Sequence, residues 1–205
     1  MNASAPPLDR SIAFALLAAG RGSRFGGGKI DAMLGAKPVW RWAADTADAA
    51  GFATRILIVG EDDRGAGTVG DGWSIAVNPD PQAGVAGSIK LACSHAAKHR
   101  RLVIALADMP FVERKHFRAL ALADGVAFTR YPSGQDGVPA AFPRDDFGKL
   151  ETLEGDRGAA SLPWGAGRAS ISPRASESLI DIDTREQLEM ARAMLSARPA
   201  DDVSG

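Results

Sequence analysis

Short apolar runs alternate along this chain with stretches whose apolar positions recur every three or four residues. Residues 12–18 (IAFALLA) and 101–107 (RLVIALA) are almost unbroken runs, and they predict strands buried on both faces. Residues 54–60 (TRILIVG) are rich in β-branched side chains and predict another strand. Residues 73–77 (WSIAV) predict a further one, broken by Asn78-Pro79-Asp80-Pro81. Helical spacing covers about 38–50, with Pro38 in the first turn and Gly51 as terminator. It returns over about 87–98 and from Pro110 to about 123. Residues 126–129 and 138–142 predict short strands around a turn-rich 131–137, and 61–72 is mostly loop. Short helices are expected near 144–153 and 157–162, then a last strand over 178–182. A closing helix to about 197 starts at a Thr184–Gln187 capping box.

Strands alternating with helices predict the α/β class, as a three-layer αβα Rossmann-like sandwich. Its sheet is expected to be doubly wound and mainly parallel, with some mixed pairing. No repeat or linker divides the chain, so 11–197 is expected as a single domain between flexible tails at 1–10 and 198–205. In such sheets, ligands bind at the carboxyl ends of strands where the strand order reverses. Three chemically loaded segments come directly after predicted strands: 20–29, Asp108, and the pair Asp181/Asp183. Their coincidence predicts one active site.

Composition removes other classes. With 24 basic and 25 acidic residues the formal net charge is −1, which argues against a nucleic-acid coat. No apolar run is long enough to span a membrane, and residues 1–10 lack the apolar centre of a secretory signal. Cys93 is the only cysteine, which rules out an internal disulfide and fits a cytoplasmic home. It reads as a small buried helix residue. His95, His99 and His116 lie on predicted helices without metal-ligand company, and no serine or cysteine sits in a nucleophile elbow.

The densest chemistry lies in residues 16–29, LLAAGRGSRFGGGK. Small residues after a buried strand let a ligand approach the main chain, and Arg21, Arg24 and Lys29 supply charge for a polyphosphate. Neither the usual phosphate loop nor the dinucleotide fingerprint fits this spacing, and a plain flexible loop is the alternative. Asp108 ends an apolar strand and is fixed by Pro110; it is either a solvated strand end or a magnesium ligand. Residues 181 and 183 share one side of an extended segment, so either could meet Asp108, although Asp183 or Thr184 could equally serve only as a helix cap. Residues 78–88 (NPDPQAGVAGS) offer small residues, an amide and a helix start, which suits a phosphate or a base edge as well as an ordinary turn.

The loop at 16–29 resembles the signature loop of nucleotidyltransferases that use a nucleoside triphosphate and a phosphate-bearing acceptor. With PQAGVAGSI at 81–89, LADMPFV at 106–112, GVPAAFPRDDF and GDRGAASL within 137–162, and DIDTREQLEM at 181–190, the chain is most similar to molybdenum-cofactor cytidylyltransferases. The resemblance implies a nucleotide-diphospho-sugar transferase type of fold. Ala18, Ala19, Gly20, Arg21 and Gly22 would cradle the nucleotide. Arg24 and Lys29 would hold the triphosphate and the leaving pyrophosphate. Gln82, Gly84, Gly87 and Ser88 would lie beside base and ribose. Asp108 and Asp183, with Asp181 as the alternative, would hold Mg2+.

It further implies transfer of a nucleoside monophosphate from CTP to a molybdopterin-type acceptor, with a molybdoenzyme or its maturation chaperone as protein partner. The QAG stretch looks more like the cytidylyl than the guanylyl branch. Other readings are a guanylyltransferase of the same cofactor, a sugar- or alcohol-phosphate nucleotidyltransferase, and a non-catalytic nucleotide-binding regulator. Phe25, Asp31, Val138 and Arg185 depart from the family pattern, and Asp31 and Val138 flank the implied acceptor pocket.

Overall fold

Strand β1 (Ile12–Leu17) is buried at every position because helices cover both faces of the sheet it centres. The computed structural model describes residues 6–20, 25–61 and 69–197. After β1 come a two-residue hairpin, β2 (Met33–Leu34) and β3 (Lys37–Pro38), then helix α1 (Val39–Ala50) and strands β4 (Thr54–Gly60) and β5 (Trp73–Asn78). Next in order are helix α2 (Gly84–His95), β6 (Arg101–Leu106), α3 (Arg114–Leu122), β7 (Ala127–Arg130) and β8 (Asp136–Pro143). The chain ends with α4 (Phe147–Leu150), β9 (Ala169–Ile171) and α5 (Arg185–Ala197).

The main sheet has seven strands in the order β5-β4-β1-β6-β8-β7-β9. β5, β4, β1 and β6 are mutually parallel, β8 runs antiparallel to both β6 and β7, and β9 is parallel to β7. The expected α/β sandwich with a mainly parallel, mixed sheet is therefore what the chain forms.

Period-two alternation divides β1 between two cores. Ile12, Phe14, Leu16 and Ala18 face α1 and α3, where Phe14 packs its ring 5.0 Å from Phe52 and 5.0 Å from Phe117. Ala13, Ala15 and Leu17 face α2 and α4 through Ala86, Ile89, Ala92, Cys93, Phe147 and Leu150. α1 matches this demand with Val39, Trp40, Ala43, Ala44, Ala47 and Ala50 on one buried face. It ends where Gly51 takes φ 87°. A side chain at Gly51 would also press on Pro7 and Leu8, because Leu8 donates its N–H to the Gly51 carbonyl at 3.0 Å. Leu8 is itself buried in the α1 core, so the segment expected as a tail over 1–10 has a docked part.

Three other expectations shift. α2 starts at Gly84, three residues ahead of the helical spacing. Residues 178–182 form no strand: Ser176–Leu179 is a single 3-10 turn, and the chain beyond it makes one backbone bond to the Asp108 carbonyl. The two-residue hairpin and β9 are additions that so few residues could not signal by pattern. Most of the expected loop at 61–72 lies outside the described residues. Among the described residues no helix is long and apolar enough to cross a membrane.

His116 is sealed between α3 and β7. Its Nε2 lies 2.7 Å from Thr129 Oγ1, and Thr129 donates to the Pro139 carbonyl at 2.5 Å. The hydroxyl proton is committed to the carbonyl, so the neutral ring donates from Nε2. Burial pushes this imidazole down to about 4 from an ordinary 6.5. Between those values the unfolded chain takes a proton that the folded chain refuses, so stability falls as pH drops through that window. His116→Gln keeps an N–H donor and is expected to recover about 2–3 kcal/mol of the loss between pH 7 and pH 4. Urea unfolding at both pH values measures it; an unchanged pH dependence would show that His116 does not carry the effect.

Candidate active site

The strand order reverses between β1 and β6: the chain first builds β4 and β5 on one side of β1, then crosses to β6 on the other. Leu17 pairs with Leu106, and the Ala107 N–H donates to the Leu17 carbonyl at 3.0 Å. The ladder thus outruns the strands by one residue. It delivers Asp108 level with Ala18, Ala19 and Gly20, where the glycine loop leaves the sheet.

A third segment closes on the same point from the far end of the chain. The Ile182 N–H donates to the Asp108 carbonyl at 2.9 Å. Ile182 is fully buried in a small cluster with Phe25, Leu34, Val39, Phe111, Leu188 and Ala191. The predicted capping box then fixes the next two residues. Gln187 Oε1 accepts from the N–H groups of Asp183 (2.7 Å) and Thr184 (2.8 Å), and Thr184 Oγ1 accepts from Gln187 N–H at 3.2 Å. The Asp183 backbone is thereby fixed at the mouth of α5 by the Gln187 side chain. Two departures from the family pattern meet beside it, with the Arg185 guanidinium 5.4 Å from the centre of the Phe25 ring.

Lys29 joins the three segments. Its Nζ donates to Asp108 Oδ2 at 2.6 Å and to Asp183 Oδ1 at 2.9 Å. Only 7% of the residue is exposed. Burial alone would lower its pKa, but the two carboxylates outweigh burial and raise it, so the ammonium stays charged. Asp108 sits above the ordinary carboxylate value, chiefly from burial and further from Asp181 and Asp183, with Lys29 opposing. Two carboxylates thus bear on the one ammonium, and a third, Asp181, bears on Asp108. The second oxygen of Asp108, Oδ1, is buried without a hydrogen-bond partner.

The predicted site residues separate into groups. Lys29, Asp108 and Asp183 come together, and Asp181 is close enough to act on Asp108. Arg21, Gly22 and Arg24 lie outside the described residues. Gln82 is exposed in a 3-10 turn capped by Asp80. Gly84 has φ 61°, and a Cβ there would overlap Gly155 and the Asp156 carboxylate; the Gly155 carbonyl accepts from Ala86 N–H at 3.0 Å. A Cβ at Gly87 would crowd Ala83 and the Asn78 amide. Ser88 is buried and accepts from Asn78 Nδ2 at 3.2 Å, so its hydroxyl braces the turn from inside.

Sequence reasoning missed Tyr131. Its hydroxyl donates to the Val138 carbonyl at 2.6 Å. Burial pushes the phenol up to about 12, with Asp181 and Asp108 adding to the shift. That places the ring within electrostatic reach of the acidic cluster and ties Val138 to it. A lone tyrosine in a turn-rich stretch carries no pattern to announce this.

Strand-end carboxylates joined by a buried lysine where the strand order reverses occupy the usual ligand crevice of an α/β sheet. Residues 14–164 match the MobA-like NTP transferase domain, and the chain belongs to that family of nucleotidyltransferases. No curated protein matches it in sequence. Among solved structures it is similar to Rv0371c from Mycobacterium tuberculosis H37Rv, at 26% identity and TM-score 0.75, over 89% of this chain and 98% of that one. A manganese complex of Rv0371c gives 25% identity and TM-score 0.70, again over 89% and 98%. Molybdopterin-guanine dinucleotide biosynthesis protein A from Archaeoglobus fulgidus shares the fold, with 17% identity, TM-score 0.63 and coverage of 91% and 100%.

Because Ile182 anchors Asp183, trimming it should loosen the site as well as the fold. Ile182→Ala is expected to cost about 2–4 kcal/mol in denaturant unfolding. It should also lower turnover about tenfold or more where the variant is still folded. Ile182→Val should restore most of both. Full turnover in a destabilised Ile182→Ala would uncouple the cluster from the site.

Proposed function

We propose that the protein transfers a cytidylyl group from CTP to a phosphate-bearing acceptor of the molybdopterin type and releases pyrophosphate. The observation that carries this reading is the cluster of Lys29, Asp108 and Asp183 at the point where the strand order reverses. The QAG segment at 82–84 favours the cytidylyl over the guanylyl reading of the same acceptor.

The donor set fits a divalent ion. Asp108 Oδ1 is buried and unpartnered, and Asp181 and Asp183 both bear on the Asp108 carboxyl. Magnesium takes one or two carboxylates and fills the rest of its shell with phosphate oxygens and water. Asp108 and Asp183, with Asp181 as the alternative, would hold Mg2+, which supplies charge neutralisation at the phosphate oxygens when bound.

An acceptor phosphate oxygen attacks the α-phosphorus, the bond to the β-phosphate oxygen breaks, and pyrophosphate leaves with the electron pair. The acceptor is already ionised at neutral pH, so no general base is needed. Lys29 offsets charge on the departing group from within a dry site. The glycine loop orients the phosphates, and the Gly84–Ser88 turn lies toward base and ribose. Val138, held by Tyr131, forms part of the acceptor side.

Asp108→Ala is expected to fold and to lose about a hundred- to thousand-fold in turnover, the equivalent of roughly 3–4 kcal/mol of barrier. Pyrophosphate release with CTP, Mg2+ and a molybdopterin acceptor measures it, and near-normal turnover would sink the metal-ligand role. A thermal-shift panel of CTP, GTP, ATP and UTP with Mg2+ tests the base: a clear lead for GTP would overturn the cytidylyl reading.

A further inference from the structure

The Lys29 ammonium already occupies one oxygen of each carboxylate that a divalent ion on Asp108 and Asp183 would use, at 2.6 and 2.9 Å, and is almost fully enclosed. A second cation on the same part-buried carboxylates is repelled by the ammonium, and that repulsion is less screened there than in water. Gly26, Gly27 and Gly28, which lead to Lys29, have φ of 89°, 93° and 63°, and among the described residues nothing lies within 4 Å of where a Cβ would be at any of them.

We infer that Lys29 is the resident counter-ion of the ligand-free enzyme, and that it exchanges from the carboxylates to the polyphosphate as metal and nucleotide bind together. The inference rests on the reading of Asp108 and Asp183 as the metal pair. Without nucleotide, a metal ion competes with the ammonium for the carboxylates and no polyphosphate is present to receive the ammonium. With nucleotide, the phosphates receive the ammonium and the carboxylates receive the ion. Metal and nucleotide are therefore positively coupled, each raising the affinity of the other by the same factor. Lys29 sets the order of assembly, and metal held without nucleotide is the disfavoured state.

The test uses Mn2+ alone, with free Mn2+ counted by electron paramagnetic resonance in the absence of nucleotide. Lys29→Met should bind Mn2+ at least tenfold more tightly than the wild type, and Lys29→Met/Asp108→Asn should lose that gain. If Lys29→Met binds no more tightly while Asp108→Asn still weakens Mn2+ binding to the wild type, the exchange is wrong and the metal pair stands. If Asp108→Asn changes Mn2+ binding in neither background, the metal pair is wrong and the exchange falls with it. A wild-type measurement covers misfolding of Lys29→Met. The 15N resonance of the Lys29 ammonium, assigned by its loss in Lys29→Arg, should hold its position with Mg2+ alone. It should move when Mg2+ and a non-hydrolysable CTP analogue are added together. A full shift with Mg2+ alone would overturn the coupling.

Discussion

The ammonium of Lys29, caught between Asp108 and Asp183, is the interaction on which the site depends. Its three residues come from the first, middle and last parts of the chain, and each is delivered by a different device. β1 and the glycine loop bring Lys29. The β1–β6 ladder, extended by the bond from Ala107 to Leu17, brings Asp108. The buried Ile182 and the capping box of α5 bring Asp183. A buried ion pair of this kind adds little net stability, since desolvation consumes most of the attraction. Its worth is positional: removing one member leaves charge stranded in a dry site, so the three segments are held to one geometry.

The rest of the sheet keeps that geometry stiff. On the far side of β6 the strands turn antiparallel, and Asp136 gathers Arg130 at 3.1 Å and Arg168 at 3.0 Å to join β7, β8 and the approach to β9. Arg101, at the start of β6, donates to the carbonyls of Leu120 and Gly125 and satisfies the end of α3. Phe128, Phe142 and Trp164 stack on the opposite face from Phe14, with ring centres 5.4–5.9 Å apart. This aromatic cluster and the Asp136 ion pairs brace the sheet on the β8–β7–β9 side.

Sequence pattern reveals most of this frame for a physical reason. β1, β4 and β6 are buried on both faces and must be apolar throughout, so their runs stand out. A carboxylate directly after such a run, as at Asp108, is conspicuous. The Thr184–Gln187 box is local chemistry and is equally legible. The features that escape are set by tertiary contact. α2 starts at Gly84 because Gly155 and Asp156 fit against a residue without a Cβ, and the Gly155 carbonyl takes the Ala86 N–H from a distant loop. Residues 178–182 look like a strand, but β6 ends before they arrive and only one backbone bond is left to make. Lys29 reads from sequence as a free phosphate ligand; its carboxylate partners lie 79 and 154 residues away. The assigned roles of Arg21, Gly22 and Arg24 concern residues outside those described.

Three groups that could serve as nucleophile or base elsewhere, Cys93, His116 and Tyr131, are each enclosed or committed. Cys93 is buried on the α2 face, and burial pushes its thiol up to about 12. His116 is neutral, enclosed and committed to Thr129. Tyr131 reaches toward the cluster, but its hydroxyl is spent on Val138 and its phenol is pushed up to about 12, so it stays protonated near neutral pH. What the described residues bring to the active edge is the charge of Lys29, Asp108 and Asp183. Fixed charge of this kind works by aligning reacting groups and absorbing charge that moves between them. The proposed transfer calls for that and, with an acceptor phosphate already ionised, for no base.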